Sequence, residues 1–228
     1  MPNIVKNTTL IGPLDLVFPH SCRGCGRIGE VLCERCKNYI KSTHQNFCPQ
    51  CKKIKSSSTC KNCPDLPPIY VISNRDSMLG ELIHDYKYHS VRALARPLAE
   101  LLDSALPKDL PKDTRIVPLP TATHHIRSRG FDHTLLLAKK LGKLRDLPVE
   151  KLLERNKNTV QVGSDRSTRL TQADSAYKIN PKIKIDKNAT YLLLDDVWTT
   201  GASVTSAVNK LKQKGAKKIV IALLAFSS

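Results

Sequence analysis

The run Tyr191-Leu192-Leu193-Leu194-Asp195-Asp196-Val197-Trp198-Thr199-Thr200-Gly201-Ala202-Ser203 constrains the fold more than any other stretch of this chain. Its apolar segment shows no polar alternation, so it reads as a strand buried on both faces, the kind found in parallel sheets. The apolar residues end in two adjacent carboxylates. A hydroxyl-rich glycine turn follows, then an amphipathic helix with Val204, Ala207, Val208 and Leu211 on one face. Strand, turn and helix in this order place free backbone N–H groups beside the hydroxyls of Thr199, Thr200 and Ser203, which together make a phosphate cradle. Gly201 lets the backbone approach an anion closely. Asp195 and Asp196 fall at the carboxyl end of the strand, where open α/β sheets bind ligands, and can accept hydrogen bonds from a sugar diol or face magnesium. An ordinary capped strand–turn–helix with an incidental acidic pair is the bland alternative. Desolvating two carboxylates against a buried strand argues against it. The chain has neither a Gly-Lys-Ser/Thr phosphate loop nor a Gly-x-Gly-x-x-Gly turn.

All 8 cysteines lie in four Cys-x-x-Cys steps: Cys22/Cys25, Cys33/Cys36, Cys48/Cys51 and Cys60/Cys63. Each step can form a knuckle whose two thiolates converge on one tetrahedral ion, so four knuckles imply two closed structural zinc sites. Spacing leaves the pairing open. Sequential pairing closes shorter loops than an interleaved cross-brace and is favoured on loop entropy. The segment has few large apolar residues, and metal would supply the folding energy that so small a core lacks. Disulfides are disfavoured by the absence of a secretory signal. Pro64-Asp65-Leu66-Pro67-Pro68 reads as a boundary, dividing the chain into a zinc-binding domain at 1–68 and an α/β domain at 69–228.

The formal charge is +17. Two four-thiolate zinc sites would reduce it to about +13, which still predicts attraction to polyanions. Basic residues from Arg23 to Lys61 surround the knuckles and suit contacts to a nucleic-acid backbone; a zinc-stapled protein-contact module is an equal alternative. Aromatics make up only 5%, so no large base-stacking platform is evident. No signal-peptide pattern and no apolar run near membrane length is present, so the expectation is a cytoplasmic protein without membrane insertion.

Beyond residue 68 the pattern alternates. Ile69 to Ser73 reads as a strand; helical patterns follow around Leu79, Ile83 and Tyr86 and from Leu94 to Leu102. Tyr86 falls on the apolar face, favouring core packing over base stacking. A strand at Arg115–Leu119, a basic loop from Thr121 to His133, a helix from Thr134 to about Leu141 and a final strand at Lys218–Phe226 complete a βαβ rhythm. That rhythm implies a mostly parallel sheet with helices on both faces.

Val117-Pro118-Leu119-Pro120 followed by Arg127-Ser128-Arg129-Gly130-Phe131-Asp132-His133 resembles the ComF family of competence and amidophosphoribosyltransferase-like proteins. That family joins a cysteine knuckle module to a type I phosphoribosyltransferase domain. The acidic pair with Thr-Thr-Gly resembles its ribose-phosphate motif. The resemblance implies that Leu119, Arg127 and Arg129 meet the pyrophosphate of 5-phosphoribosyl 1-pyrophosphate (PRPP), guanidinium forks being apt for phosphoryl oxygens. It implies that Thr199, Thr200, Gly201, Ala202 and Ser203 hold the 5-phosphate, and that Asp195 and Asp196 hold the ribose hydroxyls, with magnesium. Asp195, Asp196 and Arg129 would then be the catalytic groups. Thr159, Gln161 and Arg169 match positions in the family's flexible hood loop. The chain departs from the family at Asp132-His133, where Asn-Gln is usual, and at Gln172 and Tyr177; an aspartate at position 132 would repel pyrophosphate unless compensated.

Three functions are open at this point. The resemblance favours a competence-type factor handling single-stranded DNA in natural transformation, with a DNA-uptake helicase or other competence protein as partner. An active phosphoribosyltransferase acting on a nitrogen nucleophile is the runner-up, and a non-catalytic protein-interaction factor retaining the fold is the third.

Overall fold

The computed structural model describes residues 20–43, 47–75, 77–156 and 176–227. Its strands are β1 (Ile69–Asn74), β2 (Arg115–Pro118), β3 (Leu153–Arg155), β4 (Tyr177–Ile179), β5 (Thr190–Trp198) and β6 (Lys218–Phe226). The helices are α1 (Glu34–Ser42), α2 (Met78–Tyr88), α3 (Ala95–Ala105), α4 (Thr123–Arg129), α5 (His133–Arg145) and α6 (Ala202–Gln213). Four strands form one parallel sheet in the order β1-β6-β5-β2, while β3 and β4 pair antiparallel.

β5 and β6 are central, which is why both are apolar without alternation. Leu192 and Leu194 of β5 pack with Leu79, Leu98, Leu102 and Leu137 of α2, α3 and α5. Tyr191 and Leu193 face the other way, onto Val204, Ala207 and Leu211 of α6. Helices therefore cover both faces, as the strand–helix rhythm implied. Tyr86 is fully buried in the first of these layers, with its ring 5.4 Å from that of Phe131.

The strands of the sheet have unequal reach. β2 stops pairing at Pro118↔Leu194, whereas β5 runs on beside β6 to Trp198↔Phe226. The strand thus continues two residues past the Asp195-Asp196 pair and does not end at it. The carboxylates sit inside a strand that has lost its neighbour on one side. The basic segment after β2, expected to be a loop, contains the short helix α4. The next helix begins at His133 and reaches Arg145, longer than its apolar pattern indicated. The β3–β4 pair was not foreseen, because three-residue strands carry too little periodicity to register. Thr159, Gln161, Arg169 and Gln172 lie outside the described residues.

The cysteines gather as Cys22/Cys25/Cys33/Cys36 and Cys48/Cys51/Cys60/Cys63, the sequential pairing. Sulfur–sulfur distances are 3.8 Å for Cys22–Cys36, 3.7 Å for Cys25–Cys33, 3.9 Å for Cys48–Cys63 and 3.6 Å for Cys51–Cys60. A tetrahedral zinc with bonds of about 2.3 Å requires sulfurs about 3.8 Å apart, so both groups are compatible with one zinc ion each. Their surroundings differ. Cys22, Cys33 and Cys36, with Leu32 and Ile40, belong to the same packed core as α2 and α3, and Lys37 of α1 reaches Glu100 of α3 at 2.8 Å. Cys48, Cys60 and Cys63 form a small separate cluster with Leu66 against it. Among the described residues no helix is long and apolar enough to cross a membrane.

Metal analysis of the purified chain is expected to find two zinc ions per molecule. Because the cysteines of the first group themselves belong to the main core, whereas those of the second reach it only through neighbours such as Phe47 and Leu66, Cys36→Ser should lower the main melting transition in calorimetry by about 5–10 °C, with Cys60→Ser shifting it by less. Equal shifts would contradict this division.

Candidate ligand site at the open edge of the sheet

The edge left open by β2 forms a cavity of about 170 Å³. Lys87 reaches it from the end of α2, Arg129 from the end of α4, His133 from the start of α5, and Ser203 from the start of α6. Arg155 of β3 and Tyr177 of β4 close it from the side, and Leu119, Thr121 and His125 complete the nearby wall. Asp195 and Asp196 form its acidic part.

Adjacent residues of a strand project to opposite faces, so the two carboxylates have different surroundings. Asp196 lies on the α2/α5 face and is buried, and its Oδ2 is 2.8 Å from Lys87 Nζ and 2.5 Å from His133 Nε2. On the far side of the imidazole, Arg129 approaches Nδ1 at 2.9 Å. A guanidinium can only donate, so Nδ1 must accept and the imidazole proton resides on Nε2, donated to Asp196. A relay results: Arg129 orients His133, which orients Asp196. Burial disfavours the Asp196 charge, but Lys87 and His133 outweigh it and hold the carboxyl well below the usual range. The Tyr86 hydroxyl donates to the His133 carbonyl at 2.7 Å and pins the start of α5 to α2.

Asp195 faces the α6 side. Its Oδ1 accepts from the Asp196 amide at 2.9 Å; Lys87 and Arg155 act on it only at longer range, without an ion pair among the described residues. Burial, then the neighbouring Asp196 charge, push its carboxyl up to about 8. One acid of the pair is thus ionised and anchored, while the other holds its proton until a positive charge arrives.

The turn after β5 has the geometry its glycine requires. Gly201 has φ +77°, and a Cβ there would lie 2.2 Å from the Trp198 ring. The Gly201 carbonyl accepts from the Thr205 amide at 2.9 Å, and α6 starts at Ala202. Trp198 is the floor of the turn.

Of the sequence-expected ligand residues, Leu119, Arg129, Asp195, Asp196 and Ser203 line the cavity together. Arg127, Thr199, Thr200 and Ala202 are exposed and are not among its lining residues. Two residues along a helix rotate by about 200°, so Arg129 turns toward the cavity while Arg127 turns to solvent. Asp132 is not among the cavity-lining residues. It caps α5, accepting from the Leu135 amide at 3.1 Å and from the Thr121 hydroxyl at 2.9 Å.

Sequence reading missed Lys87, His133, Arg155 and Tyr177 as site residues. His133 and Tyr177 had a signal, as departures from the family pattern. Lys87 is one lysine among many until the fold sets it against Asp196.

Without a cation Asp195 is a liability. Its pKa is higher folded than unfolded, so the folded state binds more protons between about pH 4 and 8 and stability from this group falls as pH rises through that window. Asp195→Asn is therefore expected to raise the melting temperature by about 3 °C near pH 8, with a smaller gain near pH 5.5. An unchanged or lowered melting point at pH 8 would contradict the assignment. Gly201→Ala, which must move Trp198, should cost about 2 kcal/mol or more in denaturant unfolding.

No family model matches the chain. Over 194 residues it is 26% identical to competence protein ComFC of Streptococcus pneumoniae, covering 82% of this chain and 84% of that one. It is 27% identical to competence protein F of Haemophilus influenzae over 88% of this chain and 93% of that one. To the DNA utilization protein YhgH of Salmonella typhi it is 23% identical, over 83% and 88%. Among solved structures it overlaps the allosteric regulatory enzyme of purine biosynthesis with a TM-score of 0.42 and 12% identity, over 61% of this chain and 29% of that one. An overlap this partial carries no argument about activity.

Proposed function

We propose that this chain, a relative of the ComF competence proteins, handles single-stranded DNA during natural transformation and holds a PRPP-type ribose phosphate in the open-edge cavity. The observation that carries the ligand part is the meeting of Asp195, Asp196, Arg129 and Ser203 at one cavity. The DNA part is supported by the relatives, whose names refer to competence and DNA utilization, and by the formal charge of +17.

In this reading the 5-phosphate binds at the start of α6, near Ser203 and the turn Thr199–Ala202. The ribose diol hydrogen-bonds to Asp195, and the pyrophosphate meets Arg129 with Arg155 nearby. Asp196 serves as the fixed anchor because its Oδ2 is already engaged. Magnesium fits the donor set: Asp195 is a carboxylate at the cavity with no ion pair of its own among the described residues. When bound, the ion would neutralise charge on the pyrophosphate and on Asp195. The eight cysteines bind two structural zinc ions. Residues 1–68 act as the zinc-binding unit and 69–228 as the phosphoribosyltransferase-like unit.

The same geometry supports a phosphoribosyltransferase as the second reading. Breaking the bond from ribose C1 to pyrophosphate leaves a positive ribosyl centre, which the ionised Asp196 and a deprotonated Asp195 stabilise electrostatically. A nitrogen nucleophile then bonds to C1 and releases a proton. Arg129 donates to the departing pyrophosphate.

Titrating fluorescent single-stranded DNA into the zinc-loaded chain, with and without PRPP and magnesium, is expected to show binding that weakens with salt and is altered by the sugar ligand. Arg129→Ala and Asp195→Ala should each weaken PRPP binding by about tenfold or more. Absence of single-strand binding would refute the DNA role, and PRPP binding indifferent to both substitutions would refute the ligand assignment. Pyrophosphate release dependent on an added amine or base would select the enzyme.

A further inference from the structure

The two cysteine groups begin with the same local fold. The Cys22 amide donates to the Arg27 carbonyl at 2.8 Å, and the Cys48 amide to the Lys53 carbonyl at 2.9 Å. The Gly26 amide donates to the Cys22 carbonyl and the Lys52 amide to the Cys48 carbonyl, both at 2.8 Å. The residue after the second cysteine is left-handed in both, with φ 75° at Gly26 and φ 62° at Lys52. Each knuckle closes with one antiparallel bridge, Ser21 to Ile28 and Phe47 to Ile54. The register is therefore Cys-x-x-Cys-x-Arg-Ile in one copy and Cys-x-x-Cys-x-Lys-Ile in the other.

At the last step of that register both copies put an isoleucine into solvent. Ile28 is 70% exposed and Ile54 75%, the two most exposed large apolar side chains among the described residues. A single exposed apolar residue requires no explanation. The same exposure at equivalent positions of two knuckles, each directly after an exposed cation (Arg27 and Lys53), is a repeated device. The second copy even holds a lysine, Lys52, at a positive φ that favours glycine.

We propose that each knuckle tip is a base-contacting unit for single-stranded nucleic acid, with the isoleucine packed on a base face and the preceding cation on the adjoining phosphate. This rests on the single-strand reading above and extends it to a second surface, whose tip residues are not among those lining the ribose-phosphate cavity. The pairing of an apolar contact with a cation matches what an unpaired strand offers: exposed base faces strung along a charged backbone. A duplex keeps its base faces stacked inside, so the tips discriminate against it. Aliphatic packing on a base face is indifferent to base identity, so the contact is not sequence-specific.

The test compares binding of oligothymidylate with binding of an abasic strand of the same length and phosphate count, by fluorescence anisotropy of the zinc-loaded full chain. Ile28→Ser with Ile54→Ser should weaken oligothymidylate binding by roughly five- to twentyfold while leaving the abasic strand unchanged. Arg27→Gln with Lys53→Gln should weaken both strands and reduce the magnitude of the salt slope by about 1.4. Zinc content and melting temperature check that each variant is folded; if a serine variant is not, Ile28→Thr with Ile54→Thr replaces it. Equal binding of the two strands by the parent chain, or full oligothymidylate affinity in the isoleucine variants, overturns the proposal. So does loss of self-association in sedimentation with strand affinity unchanged, which assigns the tips to a second copy of the chain. No binding of either strand removes the single-strand reading itself, whereas binding without an isoleucine effect removes only this inference.

Discussion

The site depends on one strand outrunning its neighbour. β5 keeps its bonds to β6 as far as Trp198, whereas β2 leaves it at Leu194. From that point the exposed side of β5 needs partners, and the segments around it supply them. The Leu119 amide takes the last carbonyl, at 2.9 Å from Leu194 O, while the ends of α2, α4 and α5 bring Lys87, Arg129 and His133 to the gap. Because β2 stops there, Asp196 has room on that side for Lys87 and His133.

Alternation along a strand then does chemical work. Because neighbouring side chains leave on opposite faces, two adjacent and chemically identical carboxylates acquire opposite protonation behaviour. Asp196 is paired on the helix side and stays charged. Asp195, on the α6 side, is opposed by its neighbour's charge and by burial. Such a division suits a site that must be rigid in one part and responsive to an arriving cation in another. The cost is carried by the fold: a buried ion pair and a strained charge at the open edge of the sheet add little to stability, and the large apolar layers on both faces of β5 and β6 offset them.

Much of the architecture was legible in the sequence. Apolar runs at Tyr191–Leu194 and Ile219–Phe226 read as buried strands, and the cysteine steps left metal as the simplest explanation of a segment poor in large apolar residues. Boundaries were less legible. The basic stretch after β2 has no apolar stripe long enough to announce α4, and the hairpin of β3 and β4 is too short for a period. Within the site, Leu119, Arg129, Ser203 and the acidic pair were accessible through local motifs. That Arg129 faces the cavity and Arg127 solvent was not legible, because helix rotation separates what the sequence puts side by side.

Local chemistry, repeated at fixed spacing, is what the linear chain carried by itself: which segments are strands, where a glycine is obligatory, which cysteines come in pairs. Which cysteine pairs share a cluster, which aspartate is anchored and which is left facing the cavity, and the tautomer of His133 were decided only in three dimensions. Each depends on groups separated by tens of residues, Lys87 and Asp196 among them, and no periodicity in a sequence encodes the distance between two such charges. Packing sets that distance, and the electrostatics follow from it.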